Sequence, residues 1–572
     1  MKNTDFVVRF AGEGGQGFLS AAIGFASANT KAGYHAQTFA TFPSQITGGP
    51  TWMQTRISID PVLSRGDEVD VLVVFNEYSY ETHKNEVKEN GFILYDSDQL
   101  NIEPSEKVLG IAFEKLAKTT GNTRAANMVM MGALAELVGV NLSVLEDFVK
   151  ERWGDTSRYG EQIVPQNIEA LKLGSNEVQD RGFKLAEIES PIPPNHPQIF
   201  LNGNEAISLG AYSAGVEFYV GYPISPATTI LVWMEKNLVE KNKFVYQVSS
   251  EIEAITAIIG ASYGGKKAMT ATAGPGFSLM SEGLGLAWMA EIPVVVVDVQ
   301  RGGPATGLPT KTEQSDLNQA IYGRNGEAPM VVLAAATPSD CFIMAYESCR
   351  IALKYMIPVI LLSDGYIANG SEPWKIPDIN TLPKMETRIQ KKKEGYAPYN
   401  HGNPDLARPW ALPGTPGMEH RVGGLEKWEE TGHVSYDPEN HQKMVELRQR
   451  KVDIIAKEIA PAKVFGKESG DLLVIGWGGT HGAIRSAVET AQDEGMAVSH
   501  LHLRHLNPFP QNLGEILVKF QKVMIAELNL GQLSTIIRSK FLVDAVGLNK
   551  IQGKPFTQTE VYNKITKLVK GI

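Results

Sequence analysis

The sequence predicts a multidomain α/β protein, and three observations lead to this fold class. The chain has 572 residues, too many for one hydrophobic core, because single domains usually span ~100–200 residues. Short apolar runs typical of buried strands alternate with helical patterns along most of the chain. A proline-rich stretch, Glu187–Pro197, separates two such regions. Alternation of this kind implies parallel sheets whose faces are covered by helices.

The first predicted domain, residues 1–185, begins with a strand, a glycine turn and a helix. Phe6–Phe10 has the composition of a buried strand, and a helical pattern runs from about Phe18 to Lys31. A second buried strand is predicted at Val69–Phe75, and Asn127–Leu137 carries apolar residues at helical spacing. We therefore expect a Rossmann-like domain built on a parallel sheet.

The rest of the chain divides into four predicted segments. These are a linker (186–197), a second domain (198–374), an irregular connecting segment (375–457) and a last domain (458–572). The clearest strands of the last domain are Asp471–Gly476 and Val523–Glu527. Strands of the second domain are predicted at Phe244–Gln247, Ala268–Thr272, Pro293–Val299, Met330–Ala335 and Pro358–Ser363.

Composition excludes several classes of function. A net charge of −10 argues against a nucleic-acid-binding surface. Two cysteines, Cys341 and Cys349, are too few for a disulfide scaffold or for the four thiolates of an iron–sulfur cluster, and we expect no metal site on this chain. The start of the sequence lacks the apolar core of a secretion signal, and no apolar run reaches the ~18 residues of a membrane span. We therefore expect a cytoplasmic protein without nucleic-acid or membrane partners.

A glycine-rich loop follows the first predicted strand and leads into a helix. Its residues are Gly12, Gly14, Gly15, Gln16 and Gly17. Glycines allow close backbone approach, and a helix N-terminus presents unpaired N–H groups, so the loop suits an anion. The spacing also matches the dinucleotide fingerprint, but the acidic residue expected about 20 positions later is missing. A phosphate-bearing ligand other than NAD, an NAD-dependent dehydrogenase and a ligand-free turn therefore remain open, and the polar loop 42–50 is a second candidate element.

Four segments of the second domain carry the chemistry. Gly221–Thr229 places Tyr222, Pro223, Ile224 and Ser225 in a proline-bracketed turn after a strand. Ser250-Glu251-Ile252-Glu253 begins a helix, and Ser250 and Glu253 are predicted to form a capping box. Thr270–Met280 again passes from strand through glycines to helix, and Val299–Gln314 places Arg301 before two glycines.

Two side chains in these segments stand out. Glu251 is not needed for the capping box, although a carboxylate in a first helical turn also gains from the helix dipole. Arg301 follows an apolar strand, and its planar guanidinium suits a carboxylate, although a solvated arginine is the alternative interpretation.

This ordered set of segments resembles the alpha subunit of 2-oxoacid:ferredoxin oxidoreductases, with the family's gamma domain fused in front. The resemblance rests on the Tyr222–Pro226 loop, the Ser250-Glu251 helix start, Thr270–Phe277 and Arg301–Lys311. It implies a pyrimidine-binding domain of the thiamine-enzyme type for residues 198–374 and a transketolase C-terminal-type domain for residues 458–572. It continues through Gly414–Gly417, Asp437–His441, Gly476–Thr480 and Leu503–Pro510.

The resemblance implies roles for individual residues. Glu251 corresponds to the glutamate that hydrogen-bonds the thiamine pyrimidine, Ser225 to a hydroxyl beside the 2-oxoacid and Arg301 to the group that binds its carboxylate. Tyr222, Pro223 and Ile224 belong to the cofactor-binding loop. The expected reaction interconverts 2-oxoglutarate and coenzyme A with succinyl-CoA and CO2, as in a reductive TCA cycle, with Lys311 as a candidate contact for the second carboxylate. Pyruvate or a branched-chain 2-oxoacid is the alternative substrate, and a noncatalytic scaffold is a further interpretation.

The resemblance also implies what this chain lacks. Ser363-Asp364-Gly365 is not followed at 25–30 residues by the Asn-Asn of the diphosphate–magnesium signature. In the family a separate beta subunit shares the thiamine diphosphate and carries Mg²⁺ and a [4Fe–4S] cluster. We therefore expect a chain that is inactive alone, a dimer of heterodimers with the beta subunit, and electron exchange with ferredoxin. The loop Gly12–Gly17 is expected to help bind coenzyme A.

Overall fold

The structure is a computed structural model that describes residues 2–43, 49–103, 105–154, 160–185 and 187–571. It divides into two compact units. The first, unit 1, comprises Met1–Leu201 and Gly370–Ile376, and the second, unit 2, comprises Asn202–Asn369 and Pro377–Ile572. Among the described residues, no helix is both long and apolar enough to cross a membrane.

Unit 1 is built on an eight-stranded sheet whose strand directions are mixed. Strand Asp5–Glu13 pairs parallel with Val69–Val74 on one side and antiparallel with Pro50–Ser58 on the other. The prediction of a parallel sheet is therefore only half right. Pro50–Ser58 also pairs antiparallel with His35–Thr41, since a short connection joins antiparallel strands whereas parallel strands need a long crossover. The strand order is Val108–Ile111, Val87–Asp96, Val69–Val74, Asp5–Glu13, Pro50–Ser58, His35–Thr41, Ser371–Lys375 and Gln198–Asn202.

Helices cover the sheet of unit 1 and confirm the two predicted in this region. Helix Phe18–Ala32 ends at Gly33, which adopts a left-handed φ of 111°. Helices Ala126–Val138 and Gly160–Asp180 cross at Gly132 and Gly174, where an added Cβ would lie within 2 Å of backbone oxygens of the other helix. The remaining α-helices are Glu77–His83, Phe113–Thr119 and Leu142–Trp153, and a two-stranded parallel ladder joins Lys2–Asn3 to Glu187–Ile188.

Strand Ser371–Lys375 corrects the predicted domain division. The predicted second domain, residues 198–374, includes most of this strand, but the strand pairs antiparallel with His35–Thr41 in the sheet of unit 1. Gln198–Asn202, also assigned to the second domain, lies next to it at the edge of the same sheet. The chain therefore returns to unit 1 after building much of unit 2.

Unit 2 contains a seven-stranded sheet that includes all five strands predicted for the second domain. Its neighbouring strands are parallel except for the antiparallel pair Val331–Ala334 and His505–Asn507. The order is Phe244–Gln247, Phe218–Gly221, Ala268–Thr272, Val294–Gln300, Val359–Asp364, Val331–Ala334 and His505–Asn507. The α-helices around it are Gly203–Ser213, Thr228–Leu238, Glu251–Tyr263, Gly274–Leu279, Ser281–Ala290, Leu317–Tyr322, Asp340–Tyr355 and Gly365–Asn369.

A five-stranded sheet completes unit 2 and contains both strands predicted for the last domain. Its order is Val464–Phe465, Val498–Leu503, Gly470–Trp477, Phe520–Glu527 and Ala545–Asn549. Its helices are His481–Asp493, Leu513–Leu517, Gln532–Phe541 and Gln558–Lys570. One continuous apolar core includes buried side chains of both sheets, such as Val296 and Ile475, and explains why residues on either side of the connecting segment form one compact unit.

The connecting segment 375–457 is irregular as predicted only up to residue 437. An 18-residue helix, Pro438–Ile455, follows, with Asp437 accepting a hydrogen bond from Asn440 N at its start. The segment is anchored by buried polar contacts: the Glu291 carboxylate lies 2.6 Å from Lys451 Nζ and 2.7 Å from His401 Nε2. Both partners come from the connecting segment, so these contacts fix it against the helix that precedes Glu291.

Candidate active site

Glu251 is the first residue of helix Glu251–Tyr263, directly after its N-cap. The Ser250 hydroxyl accepts the hydrogen bond of Glu253 N, which is the predicted cap. The Glu253 carboxylate, however, accepts from Ser249 N and Ser249 Oγ rather than from Ser250 N, so the capping box is not closed as predicted. Because Glu253 carries out this local role, Glu251 is not required for capping.

The Glu251 carboxyl group is buried yet keeps its hydrogen-bonding capacity. The residue is 5% exposed, and no donor of the described residues hydrogen-bonds its carboxylate. Gly276 makes room for it: a Cβ there would lie 2.2 Å from Glu251 Oε1 and 2.2 Å from Thr272 Oγ1. A buried carboxylate costs free energy unless it has a partner. The arrangement therefore fits a ligand nitrogen that hydrogen-bonds this carboxylate, as the pyrimidine of thiamine would.

Arg301 brings two of the predicted segments together. Its Nη1 donates to the Ser225 carbonyl oxygen at 2.7 Å, and its Nε is buried without a partner in the described part of the chain. Burial lowers the pKa of Arg301, while the nearby carboxylates of Asp316, Glu251 and Asp298 raise it. The guanidinium thus remains a cation within the electrostatic reach of Glu251.

The loop before Ser225 is more accessible than Glu251. Tyr222 and Ser225 are exposed, and Pro223 and Ile224 are half-buried. The loop leads from strand Phe218–Gly221 to helix Thr228–Leu238, at the carboxyl end of a parallel strand, where open α/β sheets bind ligands.

A cavity of about 380 Å³ lies beside Arg301, and Glu251 is not among the residues that line it. Its charged lining residues are Arg301, Glu313 and Asp316. Glu313 accepts backbone hydrogen bonds from Gly303 and Gly553, and so ties two loops of the cavity wall together. The other lining residues are Gly274, Pro275, Ser278, Gly303, Pro304, Ala305, Ser315, Gln319, Asn529, Leu530, Gln532 and Ile551. The volume suits a small organic acid.

Sequence reasoning missed several residues of this region. Gly276 belonged to a segment that was singled out, but its role depends on a contact with Glu251 that only the fold creates. Asp298 was detectable as the one acid in the strand Val-Val-Val-Val-Asp-Val-Gln. Glu313 and Asp316 carried no sequence signal, because their partners lie on other elements.

Asp364, in the Ser-Asp-Gly sequence, has hydrogen-bond partners within the protein. Its Oδ2 accepts from Gly479 N at 2.8 Å, and its Oδ1 accepts from the Thr312 hydroxyl at 3.0 Å and from Tyr366 N at 2.9 Å. This fully buried side chain therefore joins the loop after Arg301 to the start of the last predicted domain.

Lys311 does not line the cavity but lies close to its wall. A Cβ at Gly553, two residues from the lining residue Ile551, would be 2.7 Å from Lys311 Cβ. Burial lowers the pKa of Lys311, and the neighbouring Lys554 ammonium lowers it further.

The glycine loop of unit 1 forms an open helix start. Gly14, Gly15, Gln16 and Gly17 are exposed, and helix Phe18–Ala32 has no side-chain cap at its N-terminus. The Gln16 side chain accepts from Glu13 N at 2.7 Å and donates to Phe75 O at 3.3 Å. Gly12 is buried, and the side chains of Gln16 and Phe75 lie so close to it that a larger residue would not fit. Of the second candidate loop, 42–50, residues 44–48 lie outside the described part of the chain.

Comparison with known proteins agrees with this geometry. The thiamine-diphosphate-binding domain of pyruvate flavodoxin/ferredoxin oxidoreductases matches residues 209–438. The pyruvate ferredoxin/flavodoxin oxidoreductase domain matches residues 7–177, and core domain II of pyruvate:ferredoxin oxidoreductase matches residues 470–561. The fold and site thus define an oxidoreductase with a thiamine-diphosphate-binding domain.

Relatives that match nearly the whole chain indicate which family of oxidoreductases it belongs to. The 2-oxoglutarate oxidoreductase subunit KorA of Mycobacterium tuberculosis is 40% identical over 99% of this chain and 92% of that protein. The 2-oxoacid:ferredoxin oxidoreductase subunit alpha of Saccharolobus solfataricus is 29% identical over 98% of this chain and 97% of that protein. A solved 2-oxoglutarate:ferredoxin oxidoreductase from Magnetococcus marinus, with 2-oxoglutarate, coenzyme A and succinyl-CoA bound, is 35% identical. It superposes with a TM-score of 0.93 over 99% of this chain and 100% of that chain. This chain belongs to the 2-oxoacid:ferredoxin oxidoreductase family.

Proposed function

We propose that this chain is a subunit of a thiamine-diphosphate-dependent 2-oxoglutarate:ferredoxin oxidoreductase. The enzyme interconverts 2-oxoglutarate and coenzyme A with succinyl-CoA and CO2, and exchanges electrons with ferredoxin. One observation carries the proposal: the buried, donor-free carboxylate of Glu251 lies against Gly276 and within electrostatic reach of Arg301. The names of the M. tuberculosis and M. marinus relatives support 2-oxoglutarate rather than pyruvate as substrate.

Glu251 is the residue that activates the cofactor. Bound thiamine diphosphate supplies the carbanion chemistry at the substrate carbonyl. Glu251 holds a proton between its carboxylate and the pyrimidine ring nitrogen, which requires a side chain free of competing donors. The absence of such donors among the described residues, together with the space left by Gly276, meets that requirement.

Arg301 and Ser225 bind the substrate. Arg301 has a fixed guanidinium, held by the Ser225 carbonyl, and its remaining N–H groups suit the 2-oxoacid carboxylate. The exposed Ser225 hydroxyl hydrogen-bonds the substrate oxygen beside it. Lys311, together with Lys554, provides the positive charge for the second carboxylate of 2-oxoglutarate.

A beta subunit supplies what this chain does not. It shares the thiamine diphosphate and holds Mg²⁺ and a [4Fe–4S] cluster. Cys341 and Cys349 are the chain's two cysteines, and both are buried in helix Asp340–Tyr355. Asp364 uses its carboxylate for hydrogen bonds within the chain. The active form is a cytoplasmic dimer of heterodimers that reduces ferredoxin.

The assembled enzyme provides the test. The chain is coexpressed with its partner subunit, and coenzyme A-dependent ferredoxin reduction is compared for 2-oxoglutarate, pyruvate and two branched-chain 2-oxoacids. We expect the highest kcat/KM for 2-oxoglutarate and a loss of ~10²–10⁴-fold in Glu251→Gln, the range of general acid–base groups. Full activity of Glu251→Gln, or ferredoxin reduction by the chain alone, contradicts the proposal.

The glycine loop of unit 1 binds coenzyme A. Its exposed backbone and uncapped helix start suit the phosphates of that substrate. Replacing Gly15 by Val places a side chain on the exposed loop and is expected to raise the KM for coenzyme A at least tenfold while the KM for 2-oxoglutarate stays the same. Gly182→Val is the matched control, because both glycines have a positive φ and open space around them. An equal change of both KM values in both variants argues against the assignment.

A further inference from the structure

Two carboxyl groups meet behind the cavity wall that contains Arg301. Asp298 comes from strand Val294–Gln300 and is fully buried, and Asp316 immediately precedes helix Leu317–Tyr322 and lines the cavity. The two carboxyl groups lie within interaction range of each other, and each affects the pKa of the other. Gly274 leaves space for Asp316, since a Cβ there would lie 2.9 Å from Asp316 Oδ2.

Three of the four carboxyl oxygens of the pair lack a hydrogen-bond donor in the described part of the chain. Both oxygens of Asp298 and Oδ2 of Asp316 are buried without an N–H or hydroxyl donor in the described part of the chain. The backbone N–H of Asp316 donates to Gln300 Oε1 instead. Because two neighbouring buried carboxylates cannot both be ionised at low cost, the arrangement favours one proton shared by the pair. Burial raises the pKa of Asp316 to about 6 and raises that of Asp298 well above its ordinary value.

Arg301 is the cation that faces this pair. Asp298 and Asp316 both attract its guanidinium, and the other charges in reach are Glu251, which acts on Arg301, and Glu313, which acts on Asp316. With one shared proton the pair carries a single negative charge. This charge attracts the Arg301 guanidinium and holds it in place, but it leaves part of the positive potential of Arg301 available to a substrate carboxylate. With two protons the pair is neutral, and Arg301 attracts an anion more strongly.

We propose that the Asp298–Asp316 pair is a positioning device for Arg301, and that its proton content sets the affinity of the site for the 2-oxoacid carboxylate. The inference rests on the proposed function, in which Arg301 binds that carboxylate. It makes substrate binding and proton uptake linked events: an anion at Arg301 favours the protonated pair. The KM for 2-oxoglutarate therefore rises as the pH increases from about 5.5 to 8, while kcat changes little through this pair.

The test compares Asp316→Asn and Asp316→Leu in the assembled enzyme. The side-chain amide of Asp316→Asn can donate a hydrogen bond to Asp298 but cannot take up or release a proton. The KM of this variant for 2-oxoglutarate is therefore expected to stay within about threefold of the parent at pH 7. Its KM is also expected to lose the rise with increasing pH. The leucine removes the contact, and KM is expected to increase at least tenfold with kcat within about twofold. Asp471→Asn, a replacement of a surface carboxylate hydrogen-bonded to Gln521, serves as the control and keeps the parental profile.

A second measurement separates this inference from the proposed function. Glutarate lacks the oxo group and cannot react, so its binding is measured by calorimetry at pH 6.5 in two buffers of different ionisation enthalpy. Proton uptake on binding is expected for the parent and not for Asp316→Asn or the reciprocal Asp298→Asn. Parallel KM–pH profiles with equal proton uptake in parent and both amide variants overturn the inference. If the parent enzyme does not oxidise 2-oxoglutarate, the proposed function is wrong. The proton uptake on glutarate binding then still tests whether the Asp298–Asp316 pair controls anion binding at Arg301.

Discussion

At the residue scale, Gly276 determines whether the Glu251 carboxyl group can occupy its position. An added methyl group would overlap both Glu251 Oε1 and Thr272 Oγ1, at 2.2 Å from each. Contacts this short force one of the groups to move, and misplacement of a catalytic group by about 1 Å costs on the order of 10²-fold in rate. Gly276 therefore matters for geometry rather than for backbone flexibility.

Gly276→Ala is thus expected to lower kcat by about 10²-fold while the chain still folds and assembles. The measurement is ferredoxin reduction by the assembled enzyme, with thermal unfolding as the check on folding. Gly260→Ala is the matched control, because Gly260 lies in helix Glu251–Tyr263 and an added Cβ would meet no atom within 4 Å. Wild-type activity of Gly276→Ala would show that the carboxylate tolerates displacement.

The sequence indicates candidate site residues more readily than their contacts. Glu251, Ser225 and Arg301 are predicted because each lies in a motif. The carboxyl pair of Asp298 and Asp316 was not found, because a contact between residues 18 positions apart on different elements leaves no periodic pattern. The bond between Arg301 and the Ser225 carbonyl likewise needs the fold, since the two residues lie on different strands' loops.

At the element scale, three histidines pack together in the last predicted domain. His481, His500 and His502 have ring centroids 4.9–5.7 Å apart. His500 Nε2, His481 Nδ1 and both ring nitrogens of His502 are buried without a partner among the described residues. Burial lowers the pKa of His481 from 6.5 to about 4, and lowers those of His500 and His502 well below 6.5. All three are therefore neutral in the folded protein at pH 7.

This cluster makes the fold sensitive to acid. A depressed folded-state pKa means that the unfolded chain binds protons first, so stability is complete above about pH 6.5 and falls as the pH decreases towards 4. Each histidine contributes a loss of at most about 1.4 kcal/mol per pH unit. We expect His481→Gln to lose less thermal stability between pH 7.5 and pH 5 than the parent. The exposed His433 provides the control, and an equal loss in His433→Gln and His481→Gln would contradict this explanation.

Strands and helices are predictable from the sequence where apolar residues form a strong pattern. They are missed where charged residues dominate the segment. All the strands predicted by residue range occur in the structure. Most of them are continuous runs of buried residues, whereas Phe244–Gln247 is largely exposed at the edge of its sheet. The helix Pro438–Ile455 was missed within a polar segment, although Asp437 followed by Pro438 is a helix-start signal. Its buried face includes Lys451, which pairs with Glu291, so part of its packing is ionic and gives no hydrophobic pattern.

At the scale of the whole molecule, buried hydrogen bonds as well as a shared core hold unit 2 together, and Gln314 makes two of these bonds. Gln314 is fully buried, donates to Trp477 O at 2.7 Å and accepts from Leu528 N at 3.0 Å. These bonds connect the loop after Arg301 with two strand ends of the five-stranded sheet. The predicted boundary between a pyrimidine-type and a C-terminal-type domain stays a prediction, since both lie in one compact unit.

Unit 2 is accordingly expected to open cooperatively. Hydrogen exchange of strands Val294–Gln300 and Gly470–Trp477 should report the same opening free energy, because they share one core. Gln314→Ala, which leaves buried partners unsatisfied, should lower that free energy by about 1–3 kcal/mol for both strands. Gln449→Ala, on an exposed helix face, is the control and should change neither. A change confined to one strand would show that the two sheets open separately.

The strand Ser371–Lys375 has a consequence for how the chain is made. It lies beside His35–Thr41 in the sheet of unit 1, with Gln198–Asn202 on its far side. During translation, the first 200 residues therefore leave the ribosome with a sheet edge still open, and it stays open until some 170 further residues have been synthesised. A nascent edge of this kind is a site for wrong pairing. Cutting the gene between the two units would make that open edge permanent, so a soluble fragment requires a substitute for these five residues.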